Sequence, residues 1–573
     1  MALVLKITIM RRIFIAILFV TSTLSLKAQG DMVHERLYLS TDKTCYLAGE
    51  DIWISAFCYD AASGIYSPIS AVAYLELQNL SGSLVQSKIA LNHGRGNGFI
   101  HLPVSLPTGI YRLTGYTRYM YSESRDNFFS GFVTIYNPLT TLRSENVRSR
   151  TAADSQITAP VPEENMSRFA YALTTDKNNY HTKENVRITF RNPLPETFSA
   201  SISVFRLDEL NFYSNRSIVE IIDSTRNESL KPFPLDKVDY AGEIIRGYVV
   251  DEENVPVTNV ESFGSYISIA GKDIQYFTGE IRDSGKVRFF TSNLYGDGTL
   301  VSYVPSFNHK KYHLVLDSVY THPQVDWIPQ LILDRTREDV LLERSLGVQI
   351  AQAYRMDTLA VEKRLPANLL FENTGIVYKL DEYTRFPTMG EVLIEFIREA
   401  RFKNEDGAHK LQVRLRDATG IAYYLQDPTP PLVLLDGIPI EDHEKIYNYD
   451  PNLVKEIIIH SDRYAFGSVY YNGIIFFRTF KGDFPGLDMD ESMRIQEFRG
   501  VQNPRSLAVV PADSRLPDLR HTLYWNPQLE VNPNESVTLN AVTSETTGTF
   551  RVVIQGMDLK GNPFTTSTDF TVK

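Results

Sequence analysis

The sequence predicts a mainly β protein in which several tandem β-sandwich domains are joined to one small α+β domain. Short alternating apolar runs bounded by turn residues recur along most of the chain, as half-buried strands require. Aromatic residues make up 12% of the composition, with 32 Tyr and 31 Phe, which mostly reflects the preference of aromatic side chains for strands. A twelve-residue motif also recurs at identical internal spacing, which indicates two related domains.

Residues 1–30 have the pattern of a secretory signal peptide. Arg11 and Arg12 precede an apolar run at 13–24, and the small-residue site at 28–30 follows. The run is shorter than the ~20 residues that a helix needs to cross a bilayer, so we expect cleavage rather than retention as an anchor. No Cys directly follows the site, so we expect no lipid-modified N-terminus.

The charge and length of the remaining chain exclude several function classes. Removing residues 1–30 takes away four basic residues and no acid, which leaves 54 basic against 69 acidic residues and a net charge of −15. Such a balance disfavours nucleic acid and anionic lipid as partners. No later segment approaches 18 consecutive apolar residues, so no transmembrane segment is predicted. At roughly 100–200 residues per domain, we expect three to five domains.

The repeated motif opens two predicted sandwiches, at 31–137 and 166–240. Its copies lie 134 residues apart and match at six positions, which are Thr41/Thr175, Asp42/Asp176, Lys43/Lys177, Tyr46/Tyr180, Glu50/Glu184 and Ile52/Val186. Each copy leads into an alternating run typical of a half-buried strand. Residues 138–165 are rich in Thr, Ser, Pro and Glu and almost free of aromatic residues, which predicts a linker.

Two further units follow. Strand patterns at 241–320 predict another β-sandwich. Residues 321–387 are predicted as a helical connector, because the apolar spacing becomes helical between 335 and 356. We expect that helix to pack on a neighbour through Val340, Leu341, Leu346, Ile350, Ala353 and Tyr354.

Residues 388–482 are predicted as the small α+β domain. Thr388 and Glu391 form a capping box that opens a helix. The apolar face of this helix is expected to consist of Val392, Leu393, Phe396 and Ile397. Asp436 and Gly437 then predict a tight turn between two strands. The remaining residues, 483–573, show strand patterns that predict a closing β-sandwich.

Several of these motifs resemble macroglobulin-type sandwiches of the alpha-2-macroglobulin superfamily. The motifs are the Thr-Asp-Lys-x-x-Tyr repeat, Gly94-x-Gly96-x-Gly98-Phe99, Leu106-Pro107-x-Gly109-x-Tyr111 and Arg520 to Trp525-Asn526-Pro527. Residues 241–320 resemble the carboxypeptidase-regulatory-like sandwich, a spacer fold without peptidase activity of its own. The resemblance implies sandwich folds for 31–137, 166–240, 241–320 and 483–573.

Residues 388–482 resemble the plug domain of TonB-dependent outer-membrane receptors. The matching residues are Val433-Leu434-Leu435-Asp436-Gly437, Tyr464-x-x-Gly467 and Gly473-Ile474-Ile475 to Thr479. Only 91 residues follow Gly482. A receptor barrel of about 22 strands at ~10 residues each would need more than twice as many. The whole layout therefore resembles a family of exported Bacteroidota proteins in which macroglobulin-type sandwiches accompany a plug-like domain without a barrel.

No motif for covalent chemistry is present, so we expect no enzyme, no catalytic residue and no cofactor. The thioester segment Gly-Cys-Gly-Glu-Gln is absent around Cys45 and Cys58, and the nucleophile-elbow, phosphate-loop and zinc-helix patterns do not occur. The two cysteines either form a disulfide or remain two buried thiols. His443 begins a His-Glu pair, but Tyr447 stands where a zinc-binding second His is needed.

Other residues admit two interpretations each. Asp42, Asp176, Glu50 and Glu184 either cap turns or form metal sites, and capping explains them without a metal, so no metal residue is predicted. Gly94 to Gly98 fits a β-turn better than a phosphate cradle, and Asp436 fits a turn better than a catalytic acid. We expect Trp53 and Trp525 to anchor cores. Tyr116, Tyr119 and Tyr121 are candidates for an exposed protein-binding surface.

The resemblance implies a non-catalytic adapter in the periplasm or at the periplasmic face of the outer membrane. Its plug-like domain would bind an outer-membrane barrel or transport complex, and nucleic acid is not expected as a partner. The alternative is a macroglobulin-like protease inhibitor without a thioester, in which 138–165 would be the bait segment. An accessory domain of an enzyme is a third hypothesis, which would need a cleft with convergent acids.

Overall fold

A computed structural model describes residues 32–150 and 172–573, apart from short internal gaps at 193–194, 208, 211–212, 235–237, 261–263, 272–273, 306–309, 355–359, 366–374, 417–420, 426–428, 467–468 and 508–509. The predicted signal peptide and residues 151–165 of the predicted linker lie outside the described residues. Within them the chain is mainly β, with 36 strands, which confirms the predicted fold class.

The first β-sandwich contains eight strands and one short helix, α1 (Arg118–Glu123). The strands are β1 (Glu35–Thr41), β2 (Cys45–Leu47), β3 (Asp51–Asp60), β4 (Val72–Asn79), β5 (Gly82–Ala90), β6 (Arg95–His101), β7 (Gly109–Tyr116) and β8 (Phe129–Tyr136). One sheet has the order β1-β3-β6 and the other β2-β8-β7-β4-β5. Ile52 to Tyr59 of β3 are buried on both faces, so the expected half-buried strand is wrong here. The outer face of this sheet is covered by another sandwich.

Five strands and one helix follow the first sandwich. They are β9 (Val147–Ser149), β10 (Ala172–Thr175), β11 (Asn179–Tyr180), β12 (Asn185–Arg191), β13 (Phe198–Arg206) and α2 (Ile218–Thr225). Strand β12 alternates between buried and exposed residues, as the sequence predicts for a half-buried strand. Part of the predicted linker is ordered, because β9 pairs in parallel with a later strand.

A seven-stranded sheet follows. Its first six strands are β14 (Glu243–Val250), β15 (Ser265–Ala270), β16 (Gln275–Ile281), β17 (Lys286–Thr291), β18 (Asp297–Tyr303) and β19 (His313–Leu316). The chain continues through β20 (Leu331–Leu333), α3 (Glu338–Ala353) and β21 (Val361–Glu362). Strand β20 is the parallel partner of β9.

The next unit consists of the described residues of 376–479, and we call it the plug-like unit after the sequence resemblance of 388–482. It is a five-stranded sheet with two helices. Its elements are β22 (Ile376–Lys379), α4 (Met389–Glu395), β23 (Ala400–Glu405), β24 (Ala408–Val413), β25 (Leu415–Arg416), β26 (Ala422–Tyr423), β27 (Leu432–Leu435), β28 (Ile438–Pro439), α5 (Glu444–Tyr447), β29 (Val454–Phe466) and β30 (Val469–Thr479). The sheet order is β22-β29-β30-β27-β28, with β27 and β30 parallel. Thr388 caps α4 as predicted, because its side chain accepts a hydrogen bond from the Glu391 amide.

The chain then returns to earlier units. Strand β31 (Arg494–Arg499) pairs with β18 and completes the seven-stranded sheet β19-β14-β17-β16-β15-β18-β31. The last elements are β32 (Arg505–Ser506), β33 (Thr522–Val531), β34 (Ser536–Val542), β35 (Gly548–Asp558) and β36 (Pro563–Val572). Short 3-10 turns lie at Arg125–Asn127, Asp283–Gly285, Arg335–Arg337, Leu380–Glu382 and Pro451–Leu453.

The second and the C-terminal predicted sandwiches are one domain. Strands β10 to β13 pair with β33 to β36 in sheets of order β10-β12-β34 and β11-β36-β35-β13-β33. This order is the same, strand for strand, as that of the first sandwich. The prediction of separate sandwiches at 166–240 and 483–573 is therefore wrong. The hairpin that joins β4 to β5 in the first sandwich corresponds to β13 and β33, between which residues 207–521 are inserted.

Helix α3 forms where the sequence predicts it, and Val340 and Leu341 pack against a neighbouring core as predicted, but the rest of the predicted packing face is wrong. Its buried residues are Arg344, Ser345 and Gly347. Leu346 is 50% exposed and Tyr354 is 53% exposed. The apolar spacing predicted the helix correctly but not its orientation, because Arg344, which is paired with Glu50, lies on the inward side.

Candidate functional site

The repeated motif forms the same hydrogen-bond network in both sandwiches. Tyr46 donates to an Asp42 carboxylate oxygen at 2.8 Å, and Tyr180 donates to Asp176 at 2.7 Å. The same oxygen of Asp42 accepts from the Trp53 amide at 3.1 Å. Asp176 accepts from the corresponding Arg187 amide at 2.9 Å. The aspartates therefore cap the first turn of each sandwich.

The glutamates of the motif serve the same turn. Glu50 accepts from the Leu47 amide at 2.6 Å, and Glu184 accepts from the His181 amide at 2.7 Å. Each also pairs with the motif lysine, so that Lys43 Nζ lies 3.2 Å from Glu50. No group of three metal-ligating side chains occurs among the residues that the structure describes. The four acids are thus turn-capping groups in two separate domains.

The two copies of the motif differ in their surroundings. Asp42 is fully buried, and its second carboxylate oxygen accepts from the Thr522 hydroxyl of the other sandwich at 2.7 Å. Ser203 of that sandwich donates to the Asp42 carbonyl oxygen at 2.6 Å. Asp176 is exposed. The first copy is therefore part of the interface between the sandwiches, and the second lies at the surface.

Cys45 and Cys58 are buried thiols that are not joined in a disulfide. The Cys45 sulfur accepts a hydrogen bond from the Arg344 guanidinium at 3.3 Å. Burial raises the pKa of the Cys58 thiol well above its ordinary value, and the nearby Glu35 raises it further. Of the two sequence interpretations, the structure has two buried thiols. The raised pKa of Cys58 gives that thiol little nucleophilic character.

The turn predicted at Asp436 and Gly437 is confirmed. Both residues have positive φ, 48° and 95°, as a type I′ hairpin turn requires, and Leu435 pairs with Ile438 across it. The Asp436 carboxylate is buried and accepts from the Thr479 amide at 2.8 Å and the Thr479 hydroxyl at 2.6 Å. It fixes β27 to the end of β30, so its role is structural.

At Gly94 and Gly96 the neighbouring backbone is too close to leave room for a side chain. Gly94 has φ of +76°, and a Cβ atom there would lie 2.4 Å from the Cys58 carbonyl oxygen. A Cβ atom at Gly96 would lie 2.3 Å from the Ala90 carbonyl oxygen. Gly94 lies in the turn before β6, as predicted, whereas Gly96 and Gly98 lie within the strand.

His443 is a buried, neutral side chain. Its Nδ1 accepts a hydrogen bond from the Leu411 amide at 2.9 Å. Burial lowers its pKa to about 4, and the positive charge of Lys410 lowers it further. The ring therefore joins α5 to β24.

One small cleft with acids lies between the plug-like unit and the seven-stranded sheet. Tyr303 donates to Glu441 at 2.8 Å, and burial raises the pKa of that carboxyl. Asp442 and Asp490, which also line the cleft, accept from the amides of Glu444 and Ser492. Each of these three acids therefore accepts a hydrogen bond from a nearby hydroxyl or amide group, and the negative charge of Asp490 raises the pKa of Glu441 further.

The tyrosines proposed as an exposed surface are mostly inside the first sandwich. Tyr116 is 0% and Tyr119 is 3% exposed, and only Tyr121 is half-buried. Tyr116 donates to Glu76 at 2.7 Å, and Tyr119 donates to the Val33 carbonyl oxygen. The hypothesis of a binding surface here is wrong, since the strand and helix that carry these residues face the core. Trp53 and Trp525 are buried as expected.

A candidate interaction surface does lie on the plug-like unit. Strand β22 is at the sheet edge and, among the described residues, pairs only with β29. Next to it, the rings of Tyr383 and Phe396 stack at 4.1 Å, and Tyr378 lies 6.4 Å from Phe396. Tyr383 is 39% exposed and Ile394 is 70% exposed. We call Tyr378, Tyr383 and Phe396 the aromatic patch, and the exposed Ile394 lies on the neighbouring helix α4.

The plug-like unit is also fixed to the rest of the chain. Tyr276 of β16 and Tyr471 of β30 share a hydrogen bond at 3.3 Å, and Tyr276 packs edge-on against Phe466. Gly271 donates to the Asp436 carbonyl oxygen at 3.0 Å. The hairpin of β29 and β30 is therefore held by the seven-stranded sheet, while the aromatic patch stays at the surface.

Comparisons with known proteins give structural likenesses only. No protein-family model and no curated protein sequence matches the chain. A Salmonella alpha-2-macroglobulin reacted with methylamine is 10% identical, with a TM-score of 0.23, over 94% of this chain and 39% of that one. An E. coli alpha-2-macroglobulin in its native conformation is 9% identical, with a TM-score of 0.24, over 95% and 40%. An Escherichia coli adhesin matches at 11% identity and a TM-score of 0.15, over 53% and 66%.

The chain thus spans about 40% of the length of the macroglobulins it matches. Because these TM-scores are low, the sandwich assignment depends on the strand order described above. No helix within the described part of the chain is long and apolar enough to cross a membrane.

Proposed function

We propose that the chain is a non-catalytic, exported adapter that binds an outer-membrane barrel or transport complex through its plug-like unit. The observation that carries the proposal is the aromatic patch beside the edge strand β22. Tyrosine and other aromatic residues are enriched at protein interfaces, where they supply a large contact area at low entropic cost. An edge strand adds backbone donors and acceptors to which a partner strand can bind.

The motifs of residues 388–482 support the same role. The turn at Asp436 and Gly437 and the parallel pairing of β27 with β30 belong to one compact unit. The motifs of this unit follow one another along the sequence in an order that resembles that of a plug domain. This unit shares its core with the seven-stranded sheet, so a partner bound to it would be attached to the sandwiches. The signal-peptide pattern at 1–30 supports export to the compartment that contains such a partner.

A cross-linked pull-down from native envelopes tests the proposal. The wild-type chain should recover an outer-membrane barrel protein or transport complex, and Tyr383→Glu should lose it, because a charge would be placed in the aromatic patch. Leu559→Glu is the matched control, since Leu559 is 57% exposed on the second sandwich. Recovery of no outer-membrane protein by the wild-type chain would count against an adapter.

The alternative, a protease inhibitor, differs in one measurable respect. It requires a single cleavage within 138–165 followed by a large change of shape and loss of protease activity. Of that segment, Val147–Ser149 is already paired in β9. A chain that is cut while the protease stays fully active would remove this alternative.

A further inference from the structure

The second sandwich is built from two stretches of the chain that are far apart in the sequence. Residues 172–206 supply β10 to β13, and residues 522–573 supply β33 to β36. Among the described residues, β13 pairs only with β33 and β35, and β11 pairs only with β36. Without 522–573, only the pairing of β10 with β12 would remain. We call residues 522–573 the closing segment.

The core of the second sandwich is divided between the same two stretches. Phe190 and Phe198 of the first stretch pack against Phe564 of the closing segment, with ring centroids 6.2 Å and 4.6 Å apart. Tyr180 packs in the same way against Phe570, at 5.2 Å. Each stretch alone has only part of this core, and isolated strand pairs are marginally stable in water. The second sandwich can therefore close only when both stretches are present.

The first sandwich, by contrast, is continuous in the sequence. Its eight strands all lie within residues 35–136. Of the buried core residues that the structure describes there, Met557 alone comes from the closing segment. Cys58 is 0% exposed within this core. The first sandwich can therefore fold before the closing segment is present.

The outer face of sheet β1-β3-β6 is the surface on which the two stretches meet. Ser203 of β13 donates to the Asp42 carbonyl oxygen at 2.6 Å. Thr522 of the closing segment donates to the Asp42 carboxylate at 2.7 Å, and Gln555 donates to the Ser40 hydroxyl at 2.7 Å. Buried hydrogen bonds of this kind are lost at a cost when either partner is misplaced. The first sandwich thus specifies where the second one closes.

We infer that the closing segment is a conformational device that locks the second sandwich onto a first sandwich that has folded before it. A chain is synthesised from its N-terminus, so residues 522–573 appear only after the insertion at 207–521 is complete. Closure of the second sandwich therefore marks a finished chain. The inference concerns the order of folding and does not depend on the partner of the plug-like unit.

Hydrogen exchange and thiol labelling of the full chain test the inference. Phe564→Ala removes a ring that is 0% exposed. The amides of β13 and of β33 to β36 should then exchange together and about a hundredfold faster or more, since loss of a buried Phe ring costs at least that factor. The Cys58 thiol should stay as unreactive towards iodoacetamide as in the wild type. Leu559→Ala, in the same segment but 57% exposed, is the control and should change neither measurement.

A chain that can be cut in front of the closing segment tests the order of closure. A site for a sequence-specific protease is inserted between Arg515 and Leu516, which are both exposed. After cleavage, unfolding in urea and separation, the refolded large fragment should protect Cys58 from labelling and leave β13 open to exchange. Adding the small fragment should restore the protection of β13 at a rate proportional to its concentration. The cut chain that was never unfolded is the control and should keep β13 protected.

Four results would overturn the inference. Faster labelling of Cys58 in Phe564→Ala would mean that the two sandwiches open as one unit. Protection of β13 in the large fragment alone would mean that no closing segment is needed. Labelling of Cys58 in that fragment would mean that the first sandwich does not fold first. A small fragment that fails to restore the protection of β13 would show that the segment does not close the sandwich.

Discussion

The Arg344 guanidinium lies 3.1 Å from the Glu50 carboxylate, and this contact joins helix α3 to the turn motif of the first sandwich. Burial alone would raise the pKa of Glu50, but Lys43 and Arg344 together lower it. The side chain of Arg344 is 1% exposed. The pair therefore sets the rotation of α3, and with it the outward direction of Leu346.

Arg344→Met should destabilise the chain by about 1.5–3 kcal/mol, because it removes one of the two cations that pair with Glu50 and leaves Lys43 as the other. Urea denaturation monitored by circular dichroism measures this cost. Lys403→Met removes an exposed charge from β23 and should change stability by less than about 0.5 kcal/mol. The double variant Glu50→Gln with Arg344→Met should lose less stability than the sum of the losses of the two single variants, because the Arg344–Glu50 pair is lost only once. Additive losses would contradict the pairing.

The two motif copies predict unequal costs for one substitution. Tyr46→Phe removes the hydroxyl donor from one carboxylate oxygen of the buried Asp42, which should cost about 1.5–3 kcal/mol as a hydrogen bond to a charged group. Tyr180→Phe should cost only about 0.5–1 kcal/mol, because water can reach the exposed Asp176. Urea denaturation of both variants checks the difference. Equal costs would show that burial of the first copy does not strengthen its network.

The sequence predicted the turn motif and missed how the second sandwich is completed. The motif residues interact within ten residues of one another, so their spacing is visible in a linear sequence. The pairing of Phe198 with Val531 joins strands separated by the whole insertion. No local pattern records such a contact, and β33 to β36 therefore looked like a separate domain. The two sandwiches have the same strand order, and this could be recognised only once the pairing of β13 with β33 was known.

The orientation of α3 was missed for a different reason. Hydrophobic periodicity assumes that apolar residues face inward and charges outward. Arg344 reverses that rule because its charge is paired with Glu50 inside the molecule. By contrast, Asp436 and Gly437 were predicted correctly, since a type I′ turn depends only on the two residues that adopt positive φ.

Acidification should destabilise the plug-like unit through His443. The pKa of this ring falls from an ordinary value of about 6.5 to about 4 in the folded chain, so the unfolded chain binds more protons between these values. Stability from this group is complete above about pH 6.5, and on the order of 3 kcal/mol is lost as the pH falls to 4. Melting temperatures between pH 4 and 8 should show the decrease.

His443→Asn keeps an acceptor for the Leu411 amide and does not titrate, so its stability should depend less on pH in this range. The exposed His181→Asn is the control and should retain the wild-type dependence. An unchanged pH profile in His443→Asn would assign the acid sensitivity to other groups. Among these is His521, whose pKa burial also lowers.

Gly437→Val should destabilise the plug-like unit through backbone strain and through a clash. Gly437 has φ of +95°, a conformation that costs a β-branched residue on the order of 1–3 kcal/mol. A Cβ atom there would lie 3.1 Å from Ala270 Cα and 3.2 Å from the Ile269 carbonyl oxygen. The turn contacts the seven-stranded sheet at this point, so the substitution also weakens the contact between the two units.

Gly407→Val separates the two effects, because Gly407 has φ of +85° and no atom within 4 Å of an added Cβ. Its cost measures strain alone, and the excess cost of Gly437→Val measures the clash with β15. Two-step urea denaturation should show the plug-like unit unfolding first in Gly437→Val while the sandwiches remain folded. If the plug-like unit carries the docking surface, this variant should lose its envelope partner and Gly407→Val should keep it. Retained binding by an unfolded plug-like unit would instead place the docking surface elsewhere in the chain.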